Sequence, residues 1–153
     1  MQGKYPFEIQ SHYPHMKPHD VHIWEKFIHA NAGFFNSVDY DVCVGRAPEW
    51  LEREGSNHAK SQEILHRKKI DVVGYTDDAV WLVEIKPSAA ASALGQVLTY
   101  KPLYMIEYPQ TPSLRLAILT NQAQNQYDKV FDHHGVRLLE VGVCNQCAHY
   151  PQK

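Results

Sequence analysis

The apolar positions along this chain follow two different periods, and the switches between them outline its elements. Residues 1–18 have no period: polar, aromatic and proline residues mix, which predicts an irregular arm. Asp20 is a good N-cap. Val21, Trp24, Phe27, Ile28 and Ala32 then recur at three- and four-residue spacing, which predicts a helix over 21–32 ended by Gly33. From Ser37 to Val44 the period becomes two, with Val38, Tyr40, Val42 and Val44 on one side and Ser37, Asp39, Asp41 and Cys43 on the other. That alternation predicts a half-buried strand. Gly45-Arg46-Ala47-Pro48 closes it, and the charged stretch 49–67 reads as a surface excursion.

A second strand is predicted over 68–75, with Ile70, Val72, Val73 and Tyr75 as its apolar content. Asp77-Asp78 supplies turn chemistry, and a third strand follows over 79–86, so the two make a hairpin. Val80-Trp81-Leu82-Val83 is almost continuously apolar, which places the third strand centrally with both faces covered. Ser88 is a suitable N-cap for an Ala-rich helix reaching 104. After a loop with Pro109 and Pro112, the pattern predicts a strand over 114–119, a helix over 122–133 and a strand over 136–143. The tail 144–153 is polar. This order predicts a mixed sheet flanked by helices, an α/β or α+β core of three α/β/α layers.

Composition narrows the class. A chain of 153 residues can form one domain, here 1–153, with a core that needs no staples. Hydrophobic residues at 44% and charged residues at 21% are ordinary for a globular protein. No apolar run has membrane-span length, and the first ten residues lack a signal-peptide core. Three cysteines make no disulfide framework, and the odd count points to a reducing, intracellular setting. With a formal charge of -2, a nucleic-acid partner would have to be held by local basic patches or bridging metal ions.

The chemistry concentrates between Ile70 and Tyr100. Asp71 lies on the second strand and Glu84 on the third, so pairing can bring them together. Glu84 and Lys86 are two apart and share a face. Ionisable groups within an apolar sheet need compensation. For the carboxylates a hard divalent cation, Mg²⁺ or Mn²⁺, supplies it. Lys86 could then orient a water or neutralise charge on a phosphorus oxygen.

Asp71, then Glu84-x-Lys86, then Gln96 and Tyr100 in a Q-x-x-x-Y spacing, resemble the PD-(D/E)XK nuclease superfamily, with the Gln/Tyr pair similar to its RecB-like branch. The element order is also similar to that fold's helix-strand-strand-strand-helix-strand core, the restriction-endonuclease-like fold. The resemblance covers roughly 20–141, and its specific motif only 71–100. It implies Mg²⁺-dependent hydrolysis of DNA phosphodiester bonds. It implies that Asp71, Glu84 and the Ile85 carbonyl bind metal, that Lys86 serves the attacking water, and that Gln96 and Tyr100 support the site. Glu25 matches the glutamate that the family often adds from its first helix. Ile70 stands where the motif has its proline, a change that removes no ligand.

Arg67-Lys68-Lys69, with Lys60 and His66 upstream, could hold DNA phosphates, and Lys101 could add a contact. His12, His15, His19 and His22 read as solvated. Cys144-x-x-Cys147 with His149 would need a second ligand pair to bind zinc; His133-His134 is poorly spaced for it, and free thiols are expected. The resemblance thus implies a small DNA endonuclease, similar to components of phages, mobile elements and restriction or repair systems, among which the sequence does not choose. Cutting would be structure-directed or non-specific, or its specificity would come from a homodimer or a larger assembly. The alternative is a catalytically weak nuclease fold that binds DNA or docks into an assembly.

Overall fold

A computed structural model describes residues 1–46 and 67–142. Most of the charged 49–67 stretch, and the tail with Cys144, Cys147 and His149, fall outside the described residues. Helix α1 (Pro18–Ala30) is followed by strands β1 (Ser37–Val44), β2 (Lys68–Tyr75) and β3 (Val80–Lys86). Helix α2 (Ala91–Glu107), strand β4 (Leu114–Thr120), a 3₁₀ turn at Asn125–Tyr127, helix α3 (Asp128–His133) and strand β5 (Val136–Glu140) complete the order.

The strands form one sheet in the order β1-β2-β3-β4-β5. β1, β2 and β3 pair antiparallel, and β3, β4 and β5 pair parallel, so the sheet is mixed. Helices cover both faces. Ile23, Trp24 and Phe27 of α1 pack with Val38, Val72, Trp81, Val83 and Ile85. Leu94, Val97 and Tyr104 of α2 and Phe131 of α3 pack on the other side with Val73, Leu82, Leu116 and Ile118. This is the three-layer α/β/α arrangement that the element order predicts. β3 shows why its sequence looks unbroken: Trp81, Val83 and Ile85 face α1, and Val80 and Leu82 face α2.

Four elements depart from expectation, each for a local reason. α1 starts at Pro18, not after Asp20: Lys17 occupies the N-cap, Pro18 the first turn where its missing N–H costs nothing, and Asp20 lies inside that turn. α2 starts at Ala91 with Ala90 at the N-cap and no side-chain cap; Ser88 lies two residues before that position, and its hydroxyl accepts Gln124 Nε2 at 2.6 Å. The helix expected from 122 is delayed, since Thr120 Oγ1 accepts the Gln122 N–H and turns the chain after β4. β5 ends at Glu140, three residues short of the expected 143.

β1 does not keep one apolar face. Val38 and Tyr40 pack toward α1, whereas Val44 and partly buried Val42 pack toward α2. The reversal falls at Asp41, whose φ of 53° is left-handed. Its neighbour on β2 reverses as well, with Ile70 toward α2 and Val72 toward α1. The arm is irregular but docked: Tyr5 bridges Val38, and Tyr13 is buried in the α1-side core. No helix among the described residues is long and apolar enough to cross a membrane.

Candidate active site

The site forms where the β2/β3 ladder stops. Its last pair is Val72 with Val83, so the next position sets Asp71 opposite Glu84 with no ladder contact between them. In place of the ladder, Asp71 Oδ2 accepts the Ile85 backbone N–H at 2.8 Å. β3 continues along β4 through Lys86, paired with Thr120, which keeps Glu84 and Lys86 on a rigid strand.

Glu84 is 1% exposed, the one acidic or basic residue among the buried ones described. Its Oε2 accepts the Tyr100 hydroxyl at 2.8 Å, and Gln96 Nε2 donates to that same hydroxyl at 3.3 Å. Gln96 and Tyr100 are one turn apart on α2, so the helix presents both to β3. Glu84 Oε1 has one partner among the described residues, the Lys86 ammonium at 2.6 Å. The structure therefore gathers Asp71, Glu84, Ile85, Lys86, Gln96 and Tyr100 in one cluster.

Burial and the adjacent Glu84 charge push the Asp71 carboxyl up to about 7, against the pull of the Ile85 N–H and Lys86. At Lys86 burial disfavours the ammonium, but Glu84, Asp71 and Asp20 outweigh it and hold the group above the ordinary lysine value. Burial, followed by the Glu84 charge, keeps the proton on Tyr100.

α1 contributes Asp20 to this field, and Glu25 does not join it. Asp20 acts electrostatically on both Asp71 and Lys86, and burial raises its own carboxyl. Glu25 faces the Tyr13 hydroxyl of the arm. The stripe Asp20, Ile23, Trp24, Phe27 runs down the buried side of α1, and Glu25 sits one helical step off it. An aspartate before an apolar stripe also reads as a cap, which sets Asp20 outside the helix and away from the site; Pro18 is the sequence signal for the earlier start.

The basic residues divide. Arg67 does not point its guanidinium into the site: it bonds the Gly45 and Cys43 carbonyls and grips both Glu107 oxygens at 2.6 Å, pinning the end of β1 to α2. Lys69 Nζ lies 3.0 Å from Asp41 Oδ2. Lys68 and Lys101 are exposed.

The donor set suits a hard divalent ion. Three carboxylates, Asp20, Asp71 and Glu84, act on one ammonium, Lys86, so the cluster is short of positive charge. Among the described residues no three His, Cys, Asp or Glu side chains converge closely enough to hold a metal by themselves. Mg²⁺ does not require that, because it binds through one or two carboxylates and fills its shell with water and substrate phosphate oxygens.

Comparison with known proteins found no matching family model and no matching curated protein. Among solved structures, the chain is similar to the crystal structure of a repair endonuclease from Pyrococcus abyssi, with a TM-score of 0.42 and 20% identity over 48% of this chain. That match spans 33% of the endonuclease chain.

Proposed function

We propose that this chain is a metal-dependent deoxyribonuclease of the PD-(D/E)XK type, with the Q-x-x-x-Y feature of the RecB-like branch. The observation that carries the reading is the end of the β2/β3 ladder, where Asp71, Glu84 and Lys86 meet with Tyr100 behind Glu84. A buried glutamate beside a half-buried aspartate and one lysine is costly to maintain, and phosphodiester hydrolysis gives it a use.

Asp71 and Glu84, with the Ile85 carbonyl, would hold Mg²⁺ or Mn²⁺. Such an ion, when bound, acidifies water and offsets charge on the phosphate. Lys86 stays protonated in this field, so its part is to orient the attacking water and neutralise the phosphorane oxygens by charge. Tyr100 fixes the rotamer of Glu84, and Gln96 fixes Tyr100. Asp20 adds negative charge from α1 and strengthens the site's demand for a cation. Exposed Lys68 and Lys101 are available to DNA phosphates.

The test is incubation of linear, supercoiled and branched DNA with Mg²⁺ or Mn²⁺, beside Glu84→Ala and Lys86→Ala. Cleavage by the wild type that both substitutions abolish supports the assignment. Cleavage surviving both overturns it. Binding without any cleavage would make the chain a DNA-docking module instead.

A further inference from the structure

Among the described residues two non-glycine positions have a positive φ, His15 at 52° and Asp41 at 53°. They hold each other: His15 Nδ1 lies 2.6 Å from Asp41 Oδ2. Left-handed backbone is costly for residues with a Cβ, and it persists where surrounding contacts enforce it, often beside a working site. Here both residues, with Pro14 and Met16, line a small cavity that also opens on Asp71.

Register explains the closeness. Tyr40 pairs with Val72 and Val42 with Ile70, so the position that drops out between them sets Asp41 opposite Asp71. Asp41, Asp71 and Glu84 therefore form one transverse row across β1, β2 and β3. Neighbouring strands lie about 5 Å apart, so Asp41 is one strand from Asp71 and two from Glu84.

Asp41 does not serve as a further acid in that row, because its Oδ2 is shared by two basic groups, His15 Nδ1 at 2.6 Å and Lys69 Nζ at 3.0 Å. The carboxylate side chain is 16% exposed, while those of His15 and Lys69 are 72% and 33% exposed. The anchor is inside and the two heads reach solvent. With Nδ1 held against Asp41, the imidazole keeps Nε2 for a second partner, and the Lys69 ammonium has three donors, of which Asp41 takes one.

We propose that Lys69 and His15, anchored together on Asp41, form a subsite for the backbone phosphate next to the one that is cut. Asp41 is its positioning residue, and the Pro14–Met16 turn is its wall. This deepens the nuclease reading and rests on it. The neighbouring acids Asp71 and Glu84 repel a polyanion, so the strand needs local positive charge one step away. The Lys69 ammonium and the His15 imidazole are the basic heads that the fold places there.

The test uses the full chain and labelled DNA oligonucleotides, with single neutral methylphosphonate linkages placed in turn on each side of the cut. For the wild type, neutralising the phosphate beside the cut should raise KM by about tenfold with little change in kcat. The Lys69→Gln/His15→Gln double variant should show the same rise on unmodified DNA. Its salt slope should fall by about one to two, and the methylphosphonate should add no further loss. Asp41→Asn, which keeps a residue tolerant of left-handed backbone, should lose most of the same effect. Thermal unfolding of each variant confirms that it is folded. Indifference of the wild type to every flanking methylphosphonate overturns the subsite, as does a variant that still loses as much as the wild type. If the wild type cuts nothing, the nuclease reading fails separately. Anisotropy binding with the same oligonucleotides then decides the subsite, and absence of DNA binding overturns it.

Discussion

Asp71 Oδ2 accepts the backbone N–H of Ile85 at 2.8 Å, so a side chain takes over the bond that the β2/β3 ladder would have made one step further. The same carboxylate is thus both a structural strut and a proposed metal ligand, and two substitutions separate the roles. Asp71→Asn keeps an acceptor for Ile85 and removes the repulsion with Glu84, so its unfolding free energy should match or exceed that of the wild type. Asp71→Ala leaves the Ile85 N–H unpaired and should cost about 1–3 kcal/mol in denaturant unfolding. Both should lower DNA cleavage by about a hundredfold or more.

Titration of Asp71 should be visible in the stability of the metal-free protein. Burial and Glu84 raise its carboxyl from the ordinary 3.8 to about 7, so the folded state binds the proton more tightly than the unfolded chain does. The contribution is fully present below about pH 4 and is lost as pH rises to about 7, where the folded protein must ionise it. The metal-free Tm should therefore decline across that window from this group. Mg²⁺ should raise Tm at pH 8 and have little effect at pH 5, where the proton occupies Asp71. Asp71→Asn should flatten the decline, as calorimetry across pH would record.

Asp20 and Glu25 share α1, and they should behave differently. Asp20 acts on Asp71 and Lys86, so Asp20→Asn should weaken the midpoint of Mg²⁺ activation by about fivefold or more and lower the Asp71 titration. Glu25 faces Tyr13, so Glu25→Gln should leave Mg²⁺ activation unchanged and loosen only the arm. A metal titration of cleavage, with Tm measured alongside, distinguishes the two.

Much of this arrangement could be read from the chain, and the exceptions have physical causes. The alternation in β1, the apolar content of β2 and the apolar run of β3 mark three strands, because each reflects coverage of the sheet by helices. The Asp71, Glu84, Lys86 spacing converges because the hairpin turn sets the register that ends at Val72 and Val83. The reversal at Asp41 left no local mark. A left-handed aspartate there is imposed by His15 and Lys69, which are distant in sequence. Asp20 was legible in type but not in place, since cap and first turn favour the same residue. Arg67 was legible as basic, but its occupation by Glu107 comes from packing between β1 and α2.

Gly74 tests the α1-side core. A Cβ built there would overlap the Phe35 ring, which is itself packed edge-on against Phe34 and Trp81. The ring cannot move aside without disturbing that cluster, so Gly74→Ala should cost about 1–3 kcal/mol of stability. Denaturant unfolding measures it, and Mg²⁺ activation of the folded fraction should be unchanged, because Gly74 pairs with Trp81, three residues from Glu84.

Tyr100 offers the sharpest separation of positioning from charge. Its hydroxyl donates to Glu84 Oε2 at 2.8 Å in a site that excludes water from that oxygen. Tyr100→Phe preserves the ring that packs against β3 and deletes one donor, leaving Glu84 with Lys86 as its remaining partner. A buried carboxylate oxygen without a donor costs about 1–3 kcal/mol. Part of that should be recovered when Mg²⁺ binds, since the cation satisfies the carboxylate directly. Tyr100→Phe should therefore lower Tm more without Mg²⁺ than with it, and it should reduce kcat by about tenfold through a less fixed Glu84. Gln96→Ala, which removes only the donor behind Tyr100, should follow the same pattern with smaller amplitude. Equal Tm losses with and without Mg²⁺ would place Tyr100 in the fold alone and remove it from the metal site.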